Sequence, residues 1–304
     1  MATAKAFGMG SPLLENSSTA LVTGSTDGIG LTTAKNLASK GYNVIIHGRN
    51  RQRIIQAIDA ICSVDQSLGE KIFGVESDIS SLQGCKNLVY KVKSIIKSNN
   101  LSLDILMNNA GVFERGHILT EDDLETTFAV NVMAPFVITS NLLPELLQKK
   151  DRQSRVVFAS SMSQCRCIDD WEDLQFRERP FSAHRAYAES KVFDAMLAAE
   201  FASILEGNGF GANRITCNSL DPGTVNTKML LAGWGPIGTE VDSALDEVWL
   251  CSSPEVSDIS GAYFSWRNKS SNVYKPSERE KLWKVLSGID PSSTSEWENV
   301  KELL

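Results

Sequence analysis

Thr19-Ala20-Leu21-Val22-Thr23-Gly24-Ser25-Thr26-Asp27-Gly28-Ile29-Gly30 is the stretch on which the reading of this chain turns. Ala20 to Thr23 suit a buried strand, a turn with three glycines follows, and helical spacing of apolar residues runs from about Gly28 to Lys40. A strand that passes through glycines into a helix N-terminus makes an anion site. Without Cβ atoms the backbone N–H groups come close to a pyrophosphate, and the helix dipole favours its charge. The spacing is Gly-x-x-x-Gly-x-Gly, which departs from Gly-x-Gly-x-x-Gly.

Outward from this stretch, strand and helix patterns alternate. Strands are expected at Asn43–His47, Lys71–Val75, Asp104–Met107, Arg155–Ala159 and Arg214–Ser219. Helices are expected at Arg51–Ser63, Gly84–Ser98, Thr120–Leu147 and Ala183–Leu205. That rhythm predicts an α/β fold, a Rossmann-type doubly wound parallel sheet with right-handed crossovers and helices on both faces. Residues 1–18 read as a flexible leader and residues 19–304 as a single domain. Within it, 226–242 reads as a mobile substrate cover, because Gly233, Gly235, Pro236 and Gly238 surround Leu230, Leu231 and Trp234. Ser277-x-x-Glu280 reads as a capping box opening a C-terminal helix, in an extension over 276–304 that packs on the body.

Composition narrows the function classes. Of 304 residues 42% are hydrophobic and 22% charged, enough for one large core and unlike disordered, collagen-like or coiled-coil chains. Thirty basic against thirty-seven acidic residues leave a net charge of -7, which argues against nucleic acid as a general partner. No run of about 18 apolar residues and no secretory signal is visible, so no membrane span and a cytoplasmic location are expected. Residues 1–18, rich in Ala and Ser but without Arg, leave a plastid open. The six cysteines read as free thiols, and His47, His117 and His184 are too scattered for a zinc site, so no metal is expected.

The second strand ends at Gly48-Arg49, where dinucleotide folds place an acid when they bind a ribose 2′-hydroxyl. Arg49 can instead pair with a 2′-phosphate, so NADP(H) is expected over NAD(H). Asp27, inside the phosphate loop, reads as a turn or helix cap. Tyr187 and Lys191 lie four apart on one helix face, a spacing common by chance. Ser161 at the end of a parallel strand gives them company at the ligand crevice, and an ammonium stabilises a phenolate that otherwise forms near pH 10.

In this order the chain resembles the short-chain dehydrogenase/reductase family, in particular its retinol-dehydrogenase-like branch, over about residues 19–265. The resemblance rests on Thr23-Gly24-x-x-x-Gly28-Ile29-Gly30, Asp78-Ile79, Asn108-Asn109-Ala110-Gly111, Val130-Asn131, Ser160-Ser161, Tyr187-x-x-x-Lys191 and Pro222-Gly223-Thr224-Val225. The branch is suggested by His47-Gly48-Arg49-Asn50 and by Ser253-Pro254 leading to Gly261-Ala262-Tyr263-Phe264.

The resemblance implies that Tyr187 exchanges a proton with the carbonyl oxygen, and that Lys191 holds the nicotinamide ribose and depresses the Tyr187 pKa. Ser161 would hydrogen-bond the reacting oxygen; it competes with Ser160 and Ser163 and is preferred as the second serine of the family's pair. Asn131 would hold a water linking Lys191 to solvent. The loop Gly24, Ser25, Thr26, Asp27, Gly28, Ile29 and Gly30 would hold the pyrophosphate, and Asp78 and Ile79 would flank the adenine. Asn109, Ala110 and Gly111 would lie along the cofactor, and Pro222, Gly223, Val225 and Thr227 would hold the nicotinamide. The polar insert Cys165–Leu174 is expected to border the substrate pocket, against a retinoid-like substrate.

The expected activity is that of an NADP(H)-dependent oxidoreductase, a carbonyl reductase or the matching alcohol dehydrogenase, acting on a small to medium apolar molecule. The rival is a catalytically weak NADP(H)-binding regulatory or assembly component. A homodimer or homotetramer is expected, because Ala195 to Phe201 carries small and apolar residues on more than one helix face.

Overall fold

The structure, a computed structural model, describes residues 18–295. The expected leader lies outside the described residues except for Ser18, as does the C-terminal extension beyond 295. The strands are β1 (Ser18–Val22), β2 (Asn43–Gly48), β3 (Ile72–Glu76), β4 (Ser102–Asn108), β5 (Ser154–Ala159), β6 (Ile215–Asp221), β7 (Tyr263–Ser265) and β8 (Asn268–Ser270). The helices are α1 (Gly28–Ser39), α2 (Arg51–Cys62), α3 (Leu82–Ser98), α4 (Thr126–Phe128), α5 (Ala134–Leu147), α6 (Ala183–Gly207), α7 (Lys228–Gly233), α8 (Asp246–Ser252) and α9 (Pro276–Ile289).

β1, β2 and β4 are buried along their whole length, which is why Ala20–Val22, Val44–Ile46 and Ile105–Met107 are apolar without alternation: helices cover both faces of the sheet. Ala20, Val22, Val44 and Ile46 face α1, α2 and α8 through Leu37, Ile61 and Val248. Leu21, Ile45 and Phe158 face α3, α5 and α6 through Leu88, Phe136 and Phe201. The strand order is β3-β2-β1-β4-β5-β6-β7-β8, parallel through β7 with β8 antiparallel at the edge. The order reverses at β1, whose neighbours are β2 and β4, and a ligand crevice opens beyond the carboxyl ends of β1 and β4.

Several elements depart from the sequence reading. The helix expected from Thr120 starts at Thr126, because Asp123 turns left-handed (φ 59°) and the Glu125 carboxylate accepts the N–H groups of Thr127 (2.9 Å) and Phe128 (2.8 Å). A π turn, Ala129–Met133, then joins α4 to α5 and carries Asn131. The C-terminal helix opens at Pro276 rather than through Ser277 and Glu280; the Glu278 carboxylate accepts the Lys275 N–H at 2.6 Å, and proline suits the first helical position. β7 and β8 have no counterpart in the reading; each has three residues, and their tight turn uses Trp266 and Arg267 at positive φ (53° and 59°), where glycine or asparagine is usual.

The continuous stretch Thr126–Leu147 is long and apolar enough to cross a membrane by length and composition alone, but 89% of its apolar window is buried, as in the core helix of this sheet. α9 lies outside the sheet layers, over α5 and α6. Trp283 sits edge-on to Phe136 and Phe201 at 5.1 Å each, Arg279 pairs with Glu200 at 2.9 Å, and the Tyr274 hydroxyl donates to the Ala195 carbonyl at 3.0 Å. Beyond α9, Asp290 pairs with Lys86 of α3 at 3.1 Å.

Candidate active site

A cleft of about 1030 Å³ runs across the carboxyl ends of the central strands, from Arg49 to Trp234. Its floor is the glycine turn after β1. Gly24 has φ +62°, and a Cβ there would lie 2.8 Å from Ala110 Cα; one on Gly30 would lie 2.4 Å from Asn109 Nδ2. The turn is held from two sides. The Asn109 side-chain amide donates to the Thr23 carbonyl (2.8 Å), and the N–H groups of Asn109 and Ala110 donate to Thr23 Oγ1 (3.0 Å each).

On the other side the buried His47 accepts the Gly24 N–H on Nδ1 at 3.1 Å, so its Nε2–H donates to the Ser77 carbonyl, also at 3.1 Å. Burial pushes the His47 pKa down to about 4, which keeps the ring neutral in this role. Ser25, expected at the cofactor, is turned away from the cleft: its hydroxyl donates to Val22 O (2.7 Å) and accepts from His47 N–H (3.0 Å), stitching β1 to β2.

Asp27 caps α1 by accepting the Gly28 N–H at 2.9 Å, and its second oxygen pairs with Lys228 on α7. Partial burial pushes its carboxyl up, but the bonds from Lys228 and Gly28 outweigh this and hold it below the usual range. The loop's puzzling negative charge is thus tied to the cover. Thr26, Gly28, Ile29, Arg49, Asp78, Ile79, Gly111, Pro222, Gly223, Val225 and Thr227 all line the cleft, as do Asn109 and Ala110. Arg53, one helical turn beyond Arg49, lines it too.

At the other end Ser161, Tyr187 and Lys191 converge. The Ser161 side chain lies close enough to the Tyr187 phenol to pull its pKa down, and Lys191 Nζ lies 5.6 Å from the phenol ring centroid. Ser160 is excluded from this role because it is buried and its hydroxyl donates to the Lys191 carbonyl at 2.5 Å. Lys191 Nζ donates to the Ala159 carbonyl (2.8 Å) and to Asp194 (2.9 Å). Burial pushes the Tyr187 phenol up and outweighs the downward pulls of Lys191 and Ser161; Asp194 and Asp221 add to the rise. Lys191 therefore acts in the expected direction, while the net shift is the opposite of the one expected.

Asn131 sits behind the cleft wall. Its amide donates to the Val112 carbonyl and Ser190 Oγ (3.0 Å each) and accepts the Val112 N–H (2.8 Å). Both N–H groups are used, which leaves a carbonyl lone pair as the place for a water.

The model of the family described as short chain dehydrogenase matches residues 18–173. The chain is 31% identical to human polyprenol dehydrogenase over 281 residues, 87% of this chain and 82% of that one. It is 30% identical to human retinol dehydrogenase 14 over 305 residues, 91% of this chain and 87% of that one. The chain belongs to the short-chain dehydrogenase family. A structure of a short-chain dehydrogenase from Burkholderia cenocepacia in complex with NADP matches it with a TM-score of 0.61 at 26% identity, covering 82% of this chain and 95% of that one. As a short-chain dehydrogenase the protein is an oxidoreductase of alcohol or carbonyl groups on a nicotinamide-dinucleotide-binding fold.

This short-chain dehydrogenase also corrects the reading of its insert. Cys165–Leu174 does not line the cleft. Its acids are held locally: Asp173 accepts the backbone N–H groups of Arg177 (2.6 Å) and Arg179 (2.9 Å), Asp169 pairs with Arg185 at 2.6 Å, Asp170 accepts the Glu172 N–H at 2.8 Å, and Glu172 pairs with Lys281 at 3.3 Å. Arg179 grips Glu189 of α6 with two bonds, 2.9 and 2.6 Å. The insert is thereby bolted to α6, and its polarity says nothing about the substrate.

Trp234, from the stretch read as a substrate cover, lines the cleft beside the Tyr187 ring at 5.3 Å. Sequence reasoning missed the two rings behind it, Phe113 at 4.9 Å and His184 at 5.1 Å from Trp234. Only helical spacing from Tyr187 could have drawn attention to His184; Phe113 arrives from a loop that carries no periodic signal.

Proposed function

We propose that this chain is an NADP(H)-dependent carbonyl reductase, running also as the alcohol dehydrogenase, for a small to medium apolar substrate. The observation that carries the reading is the meeting of the Ser161 hydroxyl, the Tyr187 phenol and the Lys191 ammonium at one end of a cleft whose other end carries Arg49 and Arg53. The residues present fit a dinucleotide. The glycine turn and the N-terminus of α1 suit its pyrophosphate, and the charge of Asp27 is spoken for by Lys228. Two guanidiniums at the ribose end support a 2′-phosphate, in line with the NADP carried by the Burkholderia relative.

When bound, the nicotinamide supplies or takes up a hydride; the protein supplies position and protons. Ser161 and Tyr187 hold the substrate oxygen by two hydrogen bonds, which orients the carbonyl and polarises it. Tyr187, buried and protonated, gives its proton to that oxygen as negative charge develops. Lys191 stabilises the phenolate left behind, and its remaining N–H reaches toward the cleft beside Gly111. Trp234, backed by Phe113, joins Val112, Met162, Leu230 and Ile237 in making the walls apolar, which supports an apolar substrate and keeps water from the reacting oxygen.

Tyr187→Phe keeps the ring and removes the proton. NADPH-dependent turnover on a panel of ketones and aldehydes is expected to fall at least about 100-fold, with NADPH binding measured by fluorescence almost unchanged. Near-normal turnover in the variant would sink the assignment.

A further inference from the structure

Lys191 is not a bare cation at the bottom of the cleft. One turn further along α6, Asp194 approaches its Nζ to 2.9 Å, and the two side chains are 5% and 4% exposed. Among the described residues, Asp194 has no hydrogen-bond partner other than Lys191. A buried pair of this kind carries a heavy desolvation cost and is not explained by stability, since an apolar pair would serve the packing at least as well. Its placement behind the Tyr187–Lys191 couple suggests a role in the reaction.

We propose that Asp194 is a positioning and charge-setting residue for the catalytic couple, fixing the ammonium at the Ala159 carbonyl and offsetting its field at the Tyr187 phenol. The inference rests on the reductase reading above. One consequence follows from the geometry. Because the carboxylate sits beside the ammonium, the phenol sees a dipole instead of a full positive charge, so Tyr187 stays protonated to a higher pH.

The surroundings leave these groups in command. Tyr187 is faced by Lys191 and Asp194 on its own helix, by Asp221 at the end of β6, and by neutral Ser161 from β5. His184 stands one turn before it, its ring held between Phe113 and Trp234. Among the described residues, the elements other than α6 contribute only uncharged groups around Lys191: the Ala159 carbonyl from β5, Gly111 after β4, and Asn131 from the π turn.

Reduction needs the phenol and fails as pH rises through its pKa; oxidation needs the phenolate and rises through the same value. The overall equilibrium fixes the ratio of the two directions at each pH, so the readout is where the limbs lie. kcat/KM is measured from pH 6 to 11 in both directions, on one ketone and its alcohol, for the wild type, Asp194→Asn and Asp194→Ser. The second variant guards against loss of fold in the first, and melting curves and NADPH binding accompany both.

With the carboxylate gone, both limbs are expected to move to lower pH by on the order of one unit. Limbs that stay in place while turnover drops would mean that Asp194 only supports the fold. Limbs that move upward would mean that Lys191 had lost its proton, and either result overturns the proposal. A wild type inert on every carbonyl, or a fully active Tyr187→Phe, overturns the reductase reading and this inference together; wild-type activity with unmoved limbs overturns this inference alone.

Discussion

At the scale of single residues, the proposed preference for NADPH rests on the charge of Arg49 and Arg53 at one end of the cleft. A charge-assisted hydrogen bond contributes roughly 1.5 to 3 kcal/mol, or about 10- to 150-fold in affinity. Arg49→Ala is therefore expected to weaken NADPH by that factor with little change for NADH, and Arg49→Ala with Arg53→Ala to weaken it further, as measured by fluorescence titration. Equal weakening of both cofactors would leave the arginines as surface charges. Gly48→Asp, the obvious converse swap, is a poor test: a Cβ at Gly48 would lie 2.5 Å from Thr26 Cγ2, so the loop would shift before any charge was felt.

Much of the site could be read at this scale because its parts are motifs of fixed spacing, such as Tyr187 with Lys191 and Gly24 with Gly28 and Gly30. Arg53 and Phe113 could not, since their relevance depends on where a helix face and a loop come to rest. Ser25 and Asn131 show the opposite case, in which the motif position is right and the side chain serves the scaffold around the cleft.

At the scale of elements, α8 carries an unusual load. Glu247 is completely buried, neither carboxylate oxygen has a partner beyond its own backbone N–H, and burial pushes its pKa up to about 8. Because this value lies above that of the unfolded chain, the folded state binds the extra proton. Stability from this group is full below about pH 4.5 and is lost as pH rises through about 8. Glu247→Met fills the same volume without a charge. It is expected to raise the melting temperature by several degrees at pH 8.5 and by less at pH 5; an equal gain at both would show that the carboxylate is not protonated in the fold.

The other elements were legible where buried on both faces, as with β1, β2 and β4, because such strands are forced to be apolar. They were not legible where hydrogen bonding by one side chain sets the boundary, as Glu125 does for α4, or where a strand is too short for alternation to register, as in β7 and β8.

For the whole molecule, the pattern that suggests an oligomer is met within the chain. The outward apolar positions of α5 and α6 are covered by α9 through Trp283, and Leu286 is fully buried. The intact chain is therefore expected to sediment as a monomer at micromolar concentration. Trp283→Ala with Leu286→Ala, each costing about 2 to 5 kcal/mol, is expected to release α9 and yield larger species. A wild-type dimer that dissociates when the α5–α6 face is altered would contradict this.

The same covering helix has a practical consequence. The helix that holds Tyr187 and Lys191 on one side is propped on the other by the chain's final described helix, so a disturbance of α9 reaches both side chains. A protease nick before Pro276, or a bulky group attached to α9, would act as a remote perturbation of the cleft.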